Sequence, residues 1–182
     1  MKTRELTKMS ICIALICISA YISFPLPFTP AMITAQTIVI NLIALILTPK
    51  KSFIVVLGYI LLGAFGLPVF SGGASGFGKV FGPTGGFILG FLVIAPILSY
   101  LKGKNISFKR YLFVTVFVGM PVLYAIGAIY MCIILKISII AALGLAVFPF
   151  ILGDILKCFV GSYLAVKLNK TLPTSEKHSD FN

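Results

Sequence analysis

The segment "FPFILGDILKCF", residues 148–159, sets an acid and a base three positions apart in an otherwise apolar run. On a helix, positions i and i+3 project from one face, so Asp154 and Lys157 open into the same space, where a carboxylate accepts hydrogen bonds and an ammonium donates them. Taking either charge into lipid costs at least about 2.5 kcal/mol on membrane-insertion scales. An i,i+3 ion pair contributes only about 0.2–0.5 kcal/mol, so a self-neutralising salt bridge accounts poorly for two desolvated charges. A bound polar molecule that needs both a donor and an acceptor accounts for them better, and it makes Asp154 and Lys157 the leading site candidates.

The second constellation is "GLPVFSGGASGFGKVFGPTGG", residues 66–86. Its glycines let backbone N–H groups turn toward a ligand and accept positive φ without steric cost. The plain alternative is a turn that only closes one end of a bundle. A phosphate loop is excluded, because "GFGKV" has no Ser or Thr after the lysine and no G-x-G-x-x-G follows a strand. "GPTGG" places Thr84 at the start of the next apolar run, where the free amides of a helix N-terminus favour a carboxylate. Gln36 and Asn41 lie in an uncharged apolar run. Both suit hydrogen bonds between helices, and Gln36, near the end of its run, also suits a cavity wall. Tyr124 and Tyr130 are further pocket candidates, although most aromatics at this hydrophobicity must face the core or lipid.

Other chemistries lack their parts. Cys12, Cys17, Cys132 and Cys158 are scattered through apolar runs with neither a C-x-x-C pair nor a histidine beside them, so no metal site or disulfide framework is expected. The single histidine, His178, falls in a polar tail. An enzyme would need a nucleophile with its base or a metal cluster, and a channel would need a polar stripe along several spans; none of these is visible. No cofactor is expected. The net charge of +11 is confined to short gaps between apolar runs, which argues against a nucleic-acid face and for membrane topology.

The elements that must position these residues are set by the solvent. Of the 182 residues, 59% are hydrophobic and 10% charged, with mean hydropathy +1.13, so the chain is expected to be an all-α integral membrane protein. Crossing about 30 Å of hydrocarbon takes roughly 20 residues of helix. Six runs are candidates: Leu6 to Phe24, Ala31 to Leu47, Phe53 to Gly66, which is short and would need a few more residues at either end, Gly85 to Leu101, Tyr111 to Leu135, and a last run ending near Leu168. The apolar region from Ile137 to Leu168 would reach roughly 48 Å as one helix, so Pro149 is expected to break it into a short outer piece at 138–148 and a span at 149–168. Residues 1–182 then form one six-helix domain, with 171–182 a mobile tail. The first run has no A-x-A-like exit and reads as a span rather than a cleaved signal. Lysines and arginines crowd both tails and alternate gaps, leaving only Lys79 and Lys136 opposite; this asymmetry puts both termini in the cytoplasm and the glycine-rich stretch outside. On the first span, Ser10 and Ala14 form a small-x-x-x-small step that permits close approach of another helix, within the bundle or on a separate subunit.

"GLPVFSGG", "GPTGGFILGF" and "FPFILGDILK", in this order and spacing, resemble the BioY family, the biotin-specific S components of energy-coupling factor (ECF) transporters, over almost the whole chain. The resemblance implies a membrane protein of bacterial cell membranes that captures biotin at its outer face and docks onto a transmembrane coupling (T) protein carrying two ABC ATPases. It also implies that the glycine-rich loop helps close the site and that the G-D-x-x-K motif, here Gly153, Asp154 and Lys157, supplies polar contacts. Gly73, Ser75, Thr84 and Gln36 are the accompanying substrate-binding candidates. Ser10 and Ala14 match the family's docking motif, with serine where alanine is more usual. Many relatives carry an arginine in the glycine cluster, where this chain reads Gly72, Gly73, Ala74, Ser75, Gly76. Biotin offers two ureido N–H donors, a carbonyl acceptor and a carboxylate tail. Asp154 would accept a ureido N–H and Lys157 donate to the ureido oxygen, with the tail at Thr84 or backbone amides; the reverse orientation stays open. A binding subunit for another vitamin such as thiamine or riboflavin, or a biotin transporter working alone, is the alternative. The chain has no Walker motif, so active uptake would have to borrow a motor.

Overall fold

The computed structural model describes residues 3–171; all of the expected tail beyond Thr171, His178 included, lies outside the described residues. The chain is helical almost throughout: α1 (Thr3–Ser19), α2 (Gln36–Ile46), α3 (Pro49–Ala64), α4 (Phe77–Val80), α5 (Gly85–Leu101), α6 (Phe108–Val114), α7 (Met120–Leu135), α8 (Ile139–Ala146) and α9 (Ile151–Thr171). Two short antiparallel strands, β1 (Ser23–Pro25) and β2 (Met32–Thr34), pair Phe24 with Ile33 between α1 and α2.

These strands shorten the first two expected spans. The helix expected to run to Phe24 ends at Ser19, and the one expected from Ala31 begins at Gln36. Pro25, Pro27 and Pro30 are the cause: each removes an N–H and holds its predecessor out of the helical region, so the chain between them turns as a hairpin. The last apolar region breaks at residues 147–150, around Pro149, and α8 and α9 meet at a bend of 54°. α6 and α7 form one helix, Phe108–Leu135, through a wider π turn at Thr115–Gly119. That turn lies just ahead of Pro121, which lacks the N–H and crowds the preceding carbonyls, so looser winding relieves the clash.

The outward faces of the helices are apolar, as the core is. On α9, Asp154, Cys158, Gly161, Ser162 and Ala165 are buried, whereas Leu152, Leu156, Phe159 and Tyr163 face outward. α6 and α7 likewise expose Phe113, Phe117, Ile129 and Ile133. Large apolar side chains cover the outside as well as filling the core, as suits a protein whose solvent is lipid. By length and composition, Phe108–Leu135 suffices to cross a membrane, and the bent pair α8–α9 passes the same test together.

At the centre stands α2, packed against α1, α3, α5 and α9. It has 11 residues, roughly 16 Å of rise, so its C-terminal carbonyls end inside the bundle and need internal donors. Ser99 Oγ donates to the Leu47 carbonyl at 2.5 Å, Lys102 Nζ donates to the Ala44 and Leu47 carbonyls, and Asn169 Nδ2 donates to that of Leu45 at 3.1 Å. An ammonium at a helix C-terminus also meets the negative end of its dipole. Lys102→Met is therefore expected to destabilise the bundle by about 1–3 kcal/mol. Thermal unfolding in detergent should show a lower midpoint, with ligand affinity within about twofold of wild type because Lys102 lies at the far end of α2 from the cavity below.

Candidate ligand-binding site

Asp154 stands in the first turn of α9, just past the bend, where its backbone N–H reaches Phe150 O at 2.8 Å and the helix dipole favours its negative charge. One carboxylate oxygen, Oδ1, accepts from Lys157 Nζ at 2.7 Å; the other, Oδ2, accepts from the Tyr124 hydroxyl at 2.7 Å. The side chains of Lys157 and Asp154 are 13% and 8% exposed, so the pair sits in a region with little solvent to replace a lost partner. The two charges are bonded to each other, as a plain salt bridge would be, and yet they also open together onto a cavity. Each carboxylate oxygen keeps a free lone pair and the ammonium keeps two further protons, so both can also bind a ligand.

Counted out to its open mouth, the cavity has about 610 Å3 of empty space. Its walls are Phe87, Ile88 and Phe91 from α5, Leu123 and Tyr124 from α7, and Ala146 and Phe150 beside the bend. Gly127 seats the Phe87 ring: a Cβ there would lie 2.4 Å from its edge. Polar groups enter from several sides, with Gln36 and Thr37 from the start of α2, Thr84 from the N-terminus of α5, and Asp154 and Lys157 from α9. The Thr84 side chain makes no bond to the first turn of α5, which leaves its hydroxyl for a ligand.

The hairpin and the glycine-rich stretch meet at the mouth. Ala31, Met32 and Thr34 line the cavity from the hairpin, and Ser71 lines it from a single 3-10 turn at Ser71–Gly73. They are tied by the Tyr21 hydroxyl donating to Pro68 O at 2.6 Å and by the Gly72 N–H donating to Ala20 O at 3.4 Å. Gly72, at φ 74°, packs beside the Met32 sulfur, where an added Cβ would sit 3.0 Å from Sδ.

Of the residues singled out in the sequence, Asp154, Lys157, Thr84 and Gln36 converge on the cavity. Gly73 and Ser75 are not among its lining residues; Ser71 occupies that edge and Ser75 is exposed. Tyr130 turns away, its hydroxyl donating to Val80 O at 3.4 Å, whereas Tyr124 is bound directly to the carboxylate. Asn41 lies deeper, donating to Cys158 Sγ at 3.4 Å between α2 and α9. Ser10 and Ala14 are exposed on α1, away from the cavity. Among the described residues, no group of His, Cys, Asp and Glu could hold a metal ion.

An apolar-walled cavity with one buried ion pair, inside a helical bundle with a lipid-facing exterior, defines a membrane protein built to hold a small polar-headed molecule. The chain belongs to the BioY family, whose family model matches residues 1–174. It is 32% identical over 181 residues to biotin transporter BioY2 of Lactococcus lactis, covering 97% of this chain and 96% of that one. It is 36% identical over 167 residues to biotin transporter BioY of Thermotoga maritima, covering 92% and 96%. Its fold matches the crystal structure of the S-component for biotin from an ECF-type ABC transporter with a TM-score of 0.90 at 25% identity, over 98% of this chain and 97% of that one.

Proposed function

We propose that the chain is the biotin-capturing S component of an ECF-type transporter, spanning the bacterial cell membrane six times with both termini in the cytoplasm. The observation that carries this reading is the Asp154 carboxylate, bonded on one oxygen by Lys157 and on the other by Tyr124, at the wall of a largely apolar cavity. A ureido ring fits this cluster: Asp154 accepts an N–H, and Lys157 donates to the carbonyl oxygen while neutralising Asp154. The thiophane ring and aliphatic tail lie against Phe87, Ile88 and Phe91, and the carboxylate meets the end of the cavity where α2 and α5 begin. Ser71 and the hairpin close the mouth, with Gly73 and Ser75 shaping that loop rather than touching the ligand.

The chain holds no nucleotide-binding motif, and one acid with one base make too short a relay for proton-driven transport. Uptake therefore depends on a T protein with two ABC ATPases. In cells lacking that module, biotin accumulation should fall to background, and accumulation at the full rate would contradict this part of the reading.

Binding is tested on the chain purified alone in detergent. Mass spectrometry of the co-purified small molecule should find biotin. Desthiobiotin, which keeps the ureido ring and the carboxylate, should displace radiolabelled biotin, whereas thiamine and riboflavin should not. Displacement by either of those vitamins, with biotin absent from the purified chain, would reassign the ligand.

A further inference from the structure

Tyr59, on α3, is fully buried, stands edge-on to the Phe70 ring at 5.5 Å, and does not line the cavity. Its hydroxyl lies 2.7 Å from the carboxamide of Gln36, which is 3% exposed and does line it. With Gln36 Nε2 as the donor, the phenolic proton has no acceptor among the described residues. A buried donor left without an acceptor costs about 1–3 kcal/mol. The two ends of a carboxamide have the same shape, and half a turn about its last bond exchanges them. After that exchange the Tyr59 O–H donates to Oε1, and both N–H groups of Gln36 are left to a ligand in the cavity.

We infer that Tyr59 is a positioning residue that fixes the Gln36 carboxamide with its N–H groups toward the cavity, so that Gln36 donates to the carboxylate of the ligand. This rests on the reading of the chain as a biotin-binding protein. The choice of the carboxylate follows from the charges around the cavity. Asp154 and Lys157 cancel each other and offer the acceptor that ureido N–H groups need. Gln36 and Thr84, in contrast, stand where α2 and α5 begin, and helix N-termini favour an anion. A rigidly oriented pair of N–H donors discriminates, because a carboxylate offers two acceptor oxygens to it whereas a carboxamide offers one and sets its own N–H groups against the second donor.

The full chain in detergent is titrated with biotin and with biotinamide, in which the carboxylate is replaced by a carboxamide. Wild type should prefer biotin by at least about tenfold, the equivalent of one charge-assisted hydrogen bond. Tyr59→Phe keeps the ring on Phe70 but releases the carboxamide, which can then turn Oε1 to the N–H groups of biotinamide; the preference should fall to within about threefold. Gln36→Glu can still accept from Tyr59 but sets a carboxylate against a carboxylate. Biotin binding should drop by more than about tenfold, with biotinamide far less affected. A merely structural role for Tyr59 weakens both ligands alike, so an unchanged preference in Tyr59→Phe overturns the inference. If thermal unfolding shows that Tyr59→Phe does not fold, Gln36→Glu decides: equal loss of both ligands overturns it. Wild type that binds both ligands equally overturns the inference and leaves the proposed function standing, whereas wild type that binds neither overturns both.

Discussion

Asp154→Asn is expected to weaken biotin binding by more than about a hundredfold, and Lys157→Ala by a similar factor. The carboxylate is held from two sides at 2.7 Å by Lys157 and Tyr124, and an amide in its place keeps only one acceptor oxygen for the three donors that would share it once a ureido N–H arrives. The same change leaves the Lys157 ammonium desolvated and unpaired, which costs about 3–5 kcal/mol when a buried partner is removed. Part of the loss therefore comes from a disturbed site rather than from a missing ligand contact. The double variant Asp154→Asn, Lys157→Met separates the two contributions. It removes both charges together, so the bundle should unfold near the wild-type temperature while biotin binding stays lost. Radiolabelled biotin binding and thermal unfolding, measured on the same detergent preparations, check both halves. Wild-type affinity in Asp154→Asn and in Lys157→Ala would remove the basis for the proposed ligand contacts. Tyr124→Phe should give a smaller loss, about tenfold, because it takes one neutral donor from the carboxylate without exposing a charge.

The acid and base were legible in the sequence because a helix places i and i+3 on one face and because charge in an apolar run is costly wherever it occurs. The break at Pro149 was legible for a similarly local reason: a proline inside a helix is a steric fact of one residue. The early end of α1 was missed although its cause was equally local, since the prolines at 25, 27 and 30 lie within an apolar stretch whose hydropathy resembles that of a span. What depends on contacts across the bundle could not be seen. Tyr124 joins Asp154 from 30 positions away, and nothing near it in sequence separates it from Tyr130, one turn and a half further along the same helix. Gly127 reads as a weak point in a helix until the Phe87 ring is found seated on it. The glycine-rich stretch was a visible candidate for the mouth, yet which of its residues lines the cavity depends on the turn at Ser71–Gly73 and its fit beside Met32.

Ala14→Trp is expected to leave biotin binding within about twofold of wild type while reducing ATP-driven uptake at least about tenfold. Ala14 and Ser10 lie one helical turn apart on the exposed side of α1, whose packing inside the bundle is against α2 and α3 through Met9, Cys12, Ile16 and Ser19. Ser10 turns its hydroxyl back to Leu6 O at 3.0 Å, so the face it shares with Ala14 presents a small, largely apolar surface flanked by Leu6, Ile11, Leu15 and Ile18. A step of two small residues lets another helix approach closely, and an indole at the exposed Ala14 would hold that helix off by several ångströms. The cavity stands on other elements, so a uniform loss of binding is not expected. Co-purification of the T protein and the two ATPases with the variant, together with uptake of radiolabelled biotin in whole cells, measures the coupling; biotin titration of the purified variant measures the site. Loss of uptake with biotin binding intact would place the coupling surface on α1. Full uptake and full co-purification with tryptophan at this position would move the docking face to another side of the bundle.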